Sequence, residues 1–518
     1  MVKELQLVVD PATAYEEQLL KREVAKQLNV TPNDIRTIRI EKRSIDARQR
    51  NVRVNLKLQA FIGEMPASDN FRYQFKNVSN KPPVVIVGMG PAGLFAALKL
   101  IELGFKPIML ERGKDVSARK RDIAFISREH IINPDSNYCF GEGGAGTFSD
   151  GKLYTRSNKR GDTQRILQLL HFNGAHENIL YESHAHIGSD KLPEIIKNIR
   201  TTILDCGGEV HFNTRLTNII VEDNQVKSVE LNNGTKLNAS ALVLATGHSA
   251  RDIYDILYKQ GIELEAKTFA MGVRVEHPQE LIDSIQYHIK NRGKYLPAAS
   301  YNLVSQVDER GVYSFCMCPG GYIVPSATSP DEVVVNGMSA SRRHTQFANS
   351  GIVVEIRPDD LLPYKEYGLM AGLHFQKYLE QLAKQNGGQG QQAPAQRLTD
   401  FVNNRTSSSL PDSSYTPGLA SSALHQWLPQ SIGNRLQKGF VAFDKKMHGF
   451  LTSEAYIAGV ESRTSSPLRI PRDPETMQHI RIKGLFPCGE GAGYAGGITS
   501  SAMDGENAAI KIHAYLQK

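Results

Sequence analysis

The sequence predicts an α/β fold with α+β parts, built in three pieces. A nucleotide-binding domain is split along the chain, an antiparallel-sheet substrate or cap domain lies between its parts, and a small βαββ, ferredoxin-like module stands in front. Three observations predict this. Residues 84–112 run strand, glycine turn, helix, strand; residues 301–340 alternate in polarity between tight turns; residues 2–62 follow the order β, α, β, β. The expected boundaries are 1–78, 79–268, 269–447 and 448–518, with the second and fourth segments forming one domain. At 518 residues the chain is too long for one core, and roughly two to four domains are the rule at this length.

In the first module, residues 2–9 alternate as a strand, and Leu19, Leu20, Val24, Ala25 and Leu28 mark one helical face. IRTIRIEKRSI and NVRVNLKLQAFI read as two more strands, and VSNKPP reads as a linker. Arg39, Lys42, Arg43, Arg48, Arg50 and Arg53 make a basic segment, opposed by Glu41 and Asp46. That is a weak nucleic-acid signal, because strands exposed on one face carry similar charge. The whole chain has 61 basic and 54 acidic residues and a formal charge of +7, a mixed solvated surface and no dense basic one. The start MVKELQLVVD has no signal-peptide pattern, and VVIVGMGPAGLFAALKL is too glycine-rich and short to span a membrane. Five sparse cysteines suit a reducing cytosol, so a cytoplasmic location is expected.

The pattern G-x-G-x-x-G occurs three times: at Gly88, Gly90 and Gly93; at Gly141, Gly143 and Gly146; and at Gly491, Gly493 and Gly496. Only the first has the full context. PVVIVG is an apolar strand, PAGLFAALKLIELG is a helix, and KPIMLERG is a second strand ending at Glu111. Gly88 permits the tight turn, Gly90 lets a pyrophosphate approach, Gly93 allows close helix packing, and Glu111 is placed to accept ribose hydroxyls. Around the second pattern neither NPDSNYCF nor TFSDGKL is a strand or a helix. The third has no further strand after its helix. Both are therefore expected to be close-approach glycine loops around one Rossmann-like unit.

Residues 191–246 supply a helix, a strand pair (EVHFNTRLTNIIVE and VKSVELNNG) and the strand SALVLATG. YNLVSQV, VYSFCMC, YIVPS and EVVVNGMSAS read as an antiparallel meander. Helix is expected around 360–384 and 419–443, with QNGGQGQQAPAQ at 385–396 as a mobile loop outside the chemistry.

VVIVGMGPAGLFAALKLIELGFKPIMLERG, ALVLATG and GLFPCGEGAGYAGG, in that order, resemble the three motifs of two-dinucleotide-binding-domain flavoproteins. FGEGGAGTFSDGKL, ATGHSARD, SFCMCPGG and ESRTSSPLRI resemble, more narrowly, a bacterial group of uncharacterised FAD-dependent dehydrogenases with a small N-terminal α+β extension. The resemblance implies FAD, held by Gly88, Gly90, Pro91, Ala92, Gly93, Glu111 and Arg112. It adds the loop residues Gly144, Gly146, Thr147, Ser149, Asp150, Gly151 and Lys152, then Thr246 and Gly247. The last motif contributes Gly489, Glu490, Gly497, Ile498 and Thr499, with Glu490 where most members carry Asp. It implies an oxidoreductase passing hydride between a small-molecule substrate and flavin N5. There is no second Rossmann unit, so NAD(P)H is expected only as a transient electron donor. A competing reading is a flavoprotein that binds or acts on RNA through residues 1–78.

Three residues are candidates for the chemistry. Lys152 would place positive charge near the flavin, or serve as a phosphate or surface lysine. His277, in VRVEHP, would face the pocket as a proton donor. Arg463, with Glu461 and Arg469, would orient an acidic substrate or join an interdomain ion-pair network. Cys316 and Cys318 would lie on one strand face with Cα atoms ~6.6 Å apart, long for a disulfide. Packing is the expected role, a thiol pair lining the pocket the alternative. Cys139 and Cys488 are read as packing residues, with a redox-active thiolate beside the flavin as the alternative for Cys139. His184 and His186 lack further ligands at useful spacing, so no metal is expected. His248, Arg251 and Asp252 are read as structural or phosphate-facing.

Overall fold

The computed structural model describes residues 1–66, 73, 75–155 and 161–517. Residues 67–72 and 74, near the end of the expected first module, lie outside them.

Strands Val2–Val9, Arg53–Ile62 and Ile35–Asp46 form an antiparallel sheet in that spatial order, with helix Glu17–Leu28 in the crossover. Alternation in the central strand buries Val54, Leu56, Leu58 and Ala60 against Leu20, Val24 and Ala25. Arg43 then fastens the module to the rest of the chain. Its N–H donates to the Tyr181 carbonyl at 2.9 Å, its side chain pairs with Glu182, and its guanidinium lies 4.2 Å from the Tyr15 ring centre. Arg48 pairs with Asp46, so Arg43 and Arg48 are both engaged by carboxylates within the protein.

Strands Leu485–Pro487, Leu242–Leu244, Pro83–Val87, Lys106–Leu110 and Glu209–His211 form one parallel sheet in that spatial order. The central strand, Pro83–Val87, is buried from Val84 onward, as its unbroken apolar run requires. The sheet draws strands from before and after the antiparallel domain, which makes the nucleotide-binding domain discontinuous. The segment EVHFNTRLTNIIVE divides. Glu209–His211 joins the parallel sheet, and Leu216–Glu222 turns away to pair with Gln225–Leu231 in a separate three-stranded sheet.

The second domain centres on seven strands, ordered Val304–Val307, Arg310–Cys318, Phe347–Ile356, Phe269–Pro278, Tyr456–Glu461, Ala393–Arg397 and Leu419–Ser421. Helices Ala371–Asn386 and Gln430–Lys446 contribute to its core through Phe375, Leu379, Leu436, Phe440 and Phe443. Four expectations change here. Tyr456–Glu461, placed by sequence in the segment 448–518, pairs with Phe269–Pro278, so the antiparallel domain extends past 447. Residues 393–396, expected in a mobile loop, are buried in the strand Ala393–Arg397. The meander breaks, because Arg310–Cys318 pairs with Phe347–Ile356 while Gly321–Pro325 and Val335–Ser339 form their own hairpin. The helix expected from 360 is a 3-10 stretch over Pro358–Met370 before Ala371–Asn386, and 419–421 is strand.

Glu276, on the central strand Phe269–Pro278, is 1% exposed and accepts from the Tyr456 hydroxyl at 2.6 Å and the Ser414 N–H at 2.9 Å. Burial raises its carboxyl from 4.5 to about 7 against those hydrogen bonds. Between these values the folded protein holds a proton that the unfolded chain has released. Stability therefore falls as the pH rises through this window, by up to ~3 kcal/mol from this group. Glu276→Gln should make the decline in urea-unfolding free energy between pH 5 and 8 shallower by that order. An unchanged slope would refute the assignment.

Candidate functional site

The carboxyl ends of the parallel strands open onto one cleft, where ligands bind in open α/β sheets. Gly88 follows the central strand at φ +102°, and a Cβ there would stand 2.4 Å from the Ala245 carbonyl oxygen. Only glycine fits that turn. Gly90 differs. Its φ of −72° suits any residue, and the nearest atom to a Cβ would be the Gly144 Cα at 4.0 Å. A side chain at Gly90 would project into the cleft. Helix Pro91–Glu102 starts at Gly90 and helix Ile498–Leu516 at Gly497, neither with a side-chain cap. Their first-turn N–H groups and positive dipole ends meet at the cleft.

Glu111 is 4% exposed and ties three turns together. Oε2 accepts from Met89 N–H at 2.9 Å, and Oε1 accepts from Gly113 and Gly141 N–H at 2.9 and 3.0 Å. The ribose-binding expectation therefore meets a carboxylate already accepting backbone bonds, with lone pairs left on the cleft wall. Arg112 pairs with Asp135 at 2.7 Å and Asp252 at 2.9 Å, and stacks 4.2 Å over Phe140.

The loop around Gly141–Gly146 lies against the first turn, with Gly143 N–H donating to the Met89 carbonyl at 2.9 Å. Fully buried Arg119 holds it by donating to the carbonyls of Asn137, Tyr138 and Glu142 at 2.7–3.0 Å. Thr147 turns inward to the Glu142 carbonyl at 2.7 Å, and Thr499 donates to the Leu153 carbonyl at 2.8 Å. Gly93 serves packing, since a Cβ there would be 2.0 Å from the Gly88 oxygen. The other expected cofactor-binding residues all line the cleft; Gly93, Thr147 and Thr499 do not.

At one end the antiparallel domain adds Phe315, Cys316, Asn336 and Thr464 to the lining. Asp150 is 1% exposed, with Arg343 Nε 3.0 Å and Lys152 Nζ 3.2 Å away. Burial opposes its charge, but Lys152 and Arg343 hold the carboxyl well below the usual range. Burial likewise opposes the Lys152 charge; Asp150, Cys316 and Cys318 offset this and keep the ammonium protonated. Glu490 rises to about 7 through burial, partly countered by Lys267. Its Oε1 lies 3.8 Å from His248 Nε2. Burial, then Arg463 and Arg251, drive that imidazole down to about 3, so it is neutral.

His277 does not reach the cleft. It is fully buried in the antiparallel domain, with Nε2 2.8 Å from the Phe450 carbonyl and its ring against Phe450. Arg463 lines the cleft, but Glu332 at 3.0 Å, Glu380 at 3.1 Å and Cys139 at 3.7 Å engage its guanidinium. Glu461 pairs with Arg274 at 2.7 Å, and Arg469 lies 3.7 Å from Glu265. Arg251 reaches Glu332 and Glu380 at 3.3 and 2.8 Å, so Arg251 and Arg463 share the same two carboxylates. Cys316 also departs from the packing expectation. Strand register shifts between Phe315 and Cys318, and Cys316 takes φ +47° at the cleft wall. A non-glycine residue in that conformation costs about 1 kcal/mol.

Residues 268–464 match the family described as FAD-dependent protein, C-terminal domain-like, and residues 1–61 match a domain of unknown function. An uncharacterised protein of Clostridium beijerinckii is 41% identical over 96% of this chain and 95% of its own length. The chain belongs to the FAD-dependent protein family. Among solved structures, similarity extends to the tetracycline destructase Tet(51), at 11% identity over 84% of this chain and 82% of that one, TM-score 0.33. A geranylgeranyl bacteriochlorophyll reductase-like protein of Thermoplasma acidophilum gives 12%, 84%, 79% and 0.36. Likenesses this remote carry no chemistry across.

The cleft suits the family's FAD. Facing glycines at 90 and 144 leave its wall bare of side chains, two uncapped helix starts supply N–H donors for a diphosphate, and Glu111 keeps lone pairs for hydroxyls. Among the described residues of this FAD-dependent protein, no helix is long and apolar enough to cross a membrane.

Proposed function

We propose that this FAD-dependent protein oxidises or reduces a small organic molecule held at the polar end of the cleft. The observation carrying this reading is that the glycine-lined part of the cleft continues into one lined by Lys152, Glu490 and Cys316. Bound FAD would supply the two-electron chemistry, accepting or giving hydride at N5. Lys152, fixed by Asp150, holds positive charge where negative charge develops. Glu490 titrates near neutrality and is suited to hold or deliver a proton at its carboxyl oxygen. The antiparallel domain walls this end with Phe315, Cys316, Asn336 and Thr464. Arg463 acts in this reading as a buried brace for Glu332 and Glu380, not as a substrate clamp. NAD(P)H is the proposed transient donor, entering the same end.

The visible spectrum of purified protein, before and after anaerobic NADPH or NADH, tests the reading. A flavin spectrum bleached by either nicotinamide supports it in full. Flavin that neither bleaches sinks the donor assignment, and protein that takes up no FAD sinks the whole reading. Glu490→Gln should remove the limb of the kcat/KM profile near pH 7 and lower kcat/KM on the order of 100-fold. An unaltered profile would exclude Glu490 from proton transfer.

A further inference from the structure

Cys316 and Cys318 sit where the strand Arg310–Cys318 breaks register. In a regular strand two such residues share a face at a spacing too long for easy bonding between their sulfurs. The left-handed backbone at Cys316 breaks that regular geometry. The Cys318 thiol points at the Cys316 carbonyl, 3.2 Å away. Cys316 lines the cleft while Cys318 is fully buried behind it. Two cations face the pair. Lys152 Nζ lies 3.9 Å from the Cys316 sulfur and 3.8 Å from the Cys318 sulfur, and Arg274 Nη2 lies 3.6 Å from the Cys318 sulfur. Thiols that merely pack are found among apolar groups. Here a cleft-lining sulfur, a second sulfur within reach of the same ammonium and two fixed positive charges meet in one corner of the cleft.

We propose that Cys316 and Cys318 form a redox-active dithiol that exchanges two electrons with the bound FAD. The proposal rests on the FAD reading above. The Cys316 thiolate and the Cys318 thiol join as a disulfide; their two electrons and the Cys318 proton pass to oxidised FAD, which becomes the singly protonated, reduced anion. Charge and hydrogen balance, and the reverse exchange reopens the pair. Cys316 is the reactive sulfur because it is exposed to the cleft. The neighbouring Cys318 thiol lowers its pKa against burial, and Lys152 and Arg274 lower it further. Lys152 is a positioning residue for this step.

Two measurements test it. In FAD-free protein, the thiol oxidant diamide should remove two of the five thiols, and the peptide containing both residues should lose the mass of two hydrogens. In yellow, oxidised holoprotein, anaerobic dithionite should deliver twice as many electrons per flavin to wild type as to Cys318→Ser. Lys152→Met should raise the pH midpoint of Cys316 alkylation by about one unit or more. Five free thiols after oxidation, or a single electron pair per flavin in both proteins, would overturn the proposal. Protein that closes the disulfide yet binds no FAD would overturn the electron partner and, separately, the FAD reading.

Discussion

Gly90→Val is expected to give folded, colourless protein. The residue caps helix Pro91–Glu102 with ordinary backbone angles, and its Cβ would meet nothing closer than 4.0 Å. The FAD-free variant should therefore match FAD-free wild type in stability to within ~1 kcal/mol, the scale of changing an N-cap. The new side chain would occupy the space against Gly144 where a diphosphate must approach two helix starts. FAD affinity should fall on the order of 100-fold or more, a loss of about 2.7 kcal/mol. Flavin-fluorescence titration measures it. Wild-type affinity in this variant would mean that the cofactor does not cross the glycine contact. Gly88→Ala is a poorer probe, because the clash with Ala245 and the positive φ would disturb the fold itself.

Arg274→Met should produce the largest loss of stability, ~3–5 kcal/mol. The guanidinium is fully buried and donates to Glu461 at 2.7 Å, Asn349 at 2.8 Å and the Cys316 carbonyl at 2.8 Å. Methionine replaces the volume but leaves the Glu461 carboxylate without its cation. Burial already raises that carboxyl to about 7 with Arg274 present. Without the arginine it rises further, so the loss should be greater at pH 8 than at pH 6. Arg274→Met with Glu461→Gln should restore much of the stability and remove the pH dependence. A pH-independent loss under ~1 kcal/mol would show that the pair contributes little.

The nucleotide turn was legible because its geometry admits few residue types. A positive φ at Gly88 and a 2.0 Å approach at Gly93 demand glycine wherever the chain is met. The first module was legible through strict alternation, and the split domain through two strand–glycine–helix segments far apart in sequence. What escaped the sequence reading depends on distant partners. Ala393–Arg397 is flanked by Gln391 and contains Gln396, which look loop-forming. Both are buried because Gln391 donates to the Glu332 carbonyl at 3.0 Å and Gln396 to the Arg405 carbonyl at 2.6 Å. His277 sits on a strand with a sheet neighbour on each side and both faces covered, so alternation cannot aim it at a pocket. The bulge at Cys316 is set by pairing with Phe347–Ile356, which no local pattern encodes. Arg119 was missed altogether. An arginine on an amphipathic helix reads as surface until the three carbonyls around it are known.

The parallel sheet also fixes an order of assembly during synthesis. Its edge strand Leu485–Pro487 and the turn through Gly489 and Glu490 emerge from the ribosome long after the strand Pro83–Val87 they complete. At cellular translation rates that separation, about 400 residues, takes ~20–80 s. Throughout that interval the Leu242–Leu244 strand lacks its outer neighbour and the nascent chain lacks the second helix start of the cleft. The first module, complete by residue 62 in its strands, packs its core of Val54, Leu56, Leu58 and Ala60 without either. Cofactor capture is therefore a late event, and a chain truncated before residue 485 should keep a folded N-terminal module yet never turn yellow.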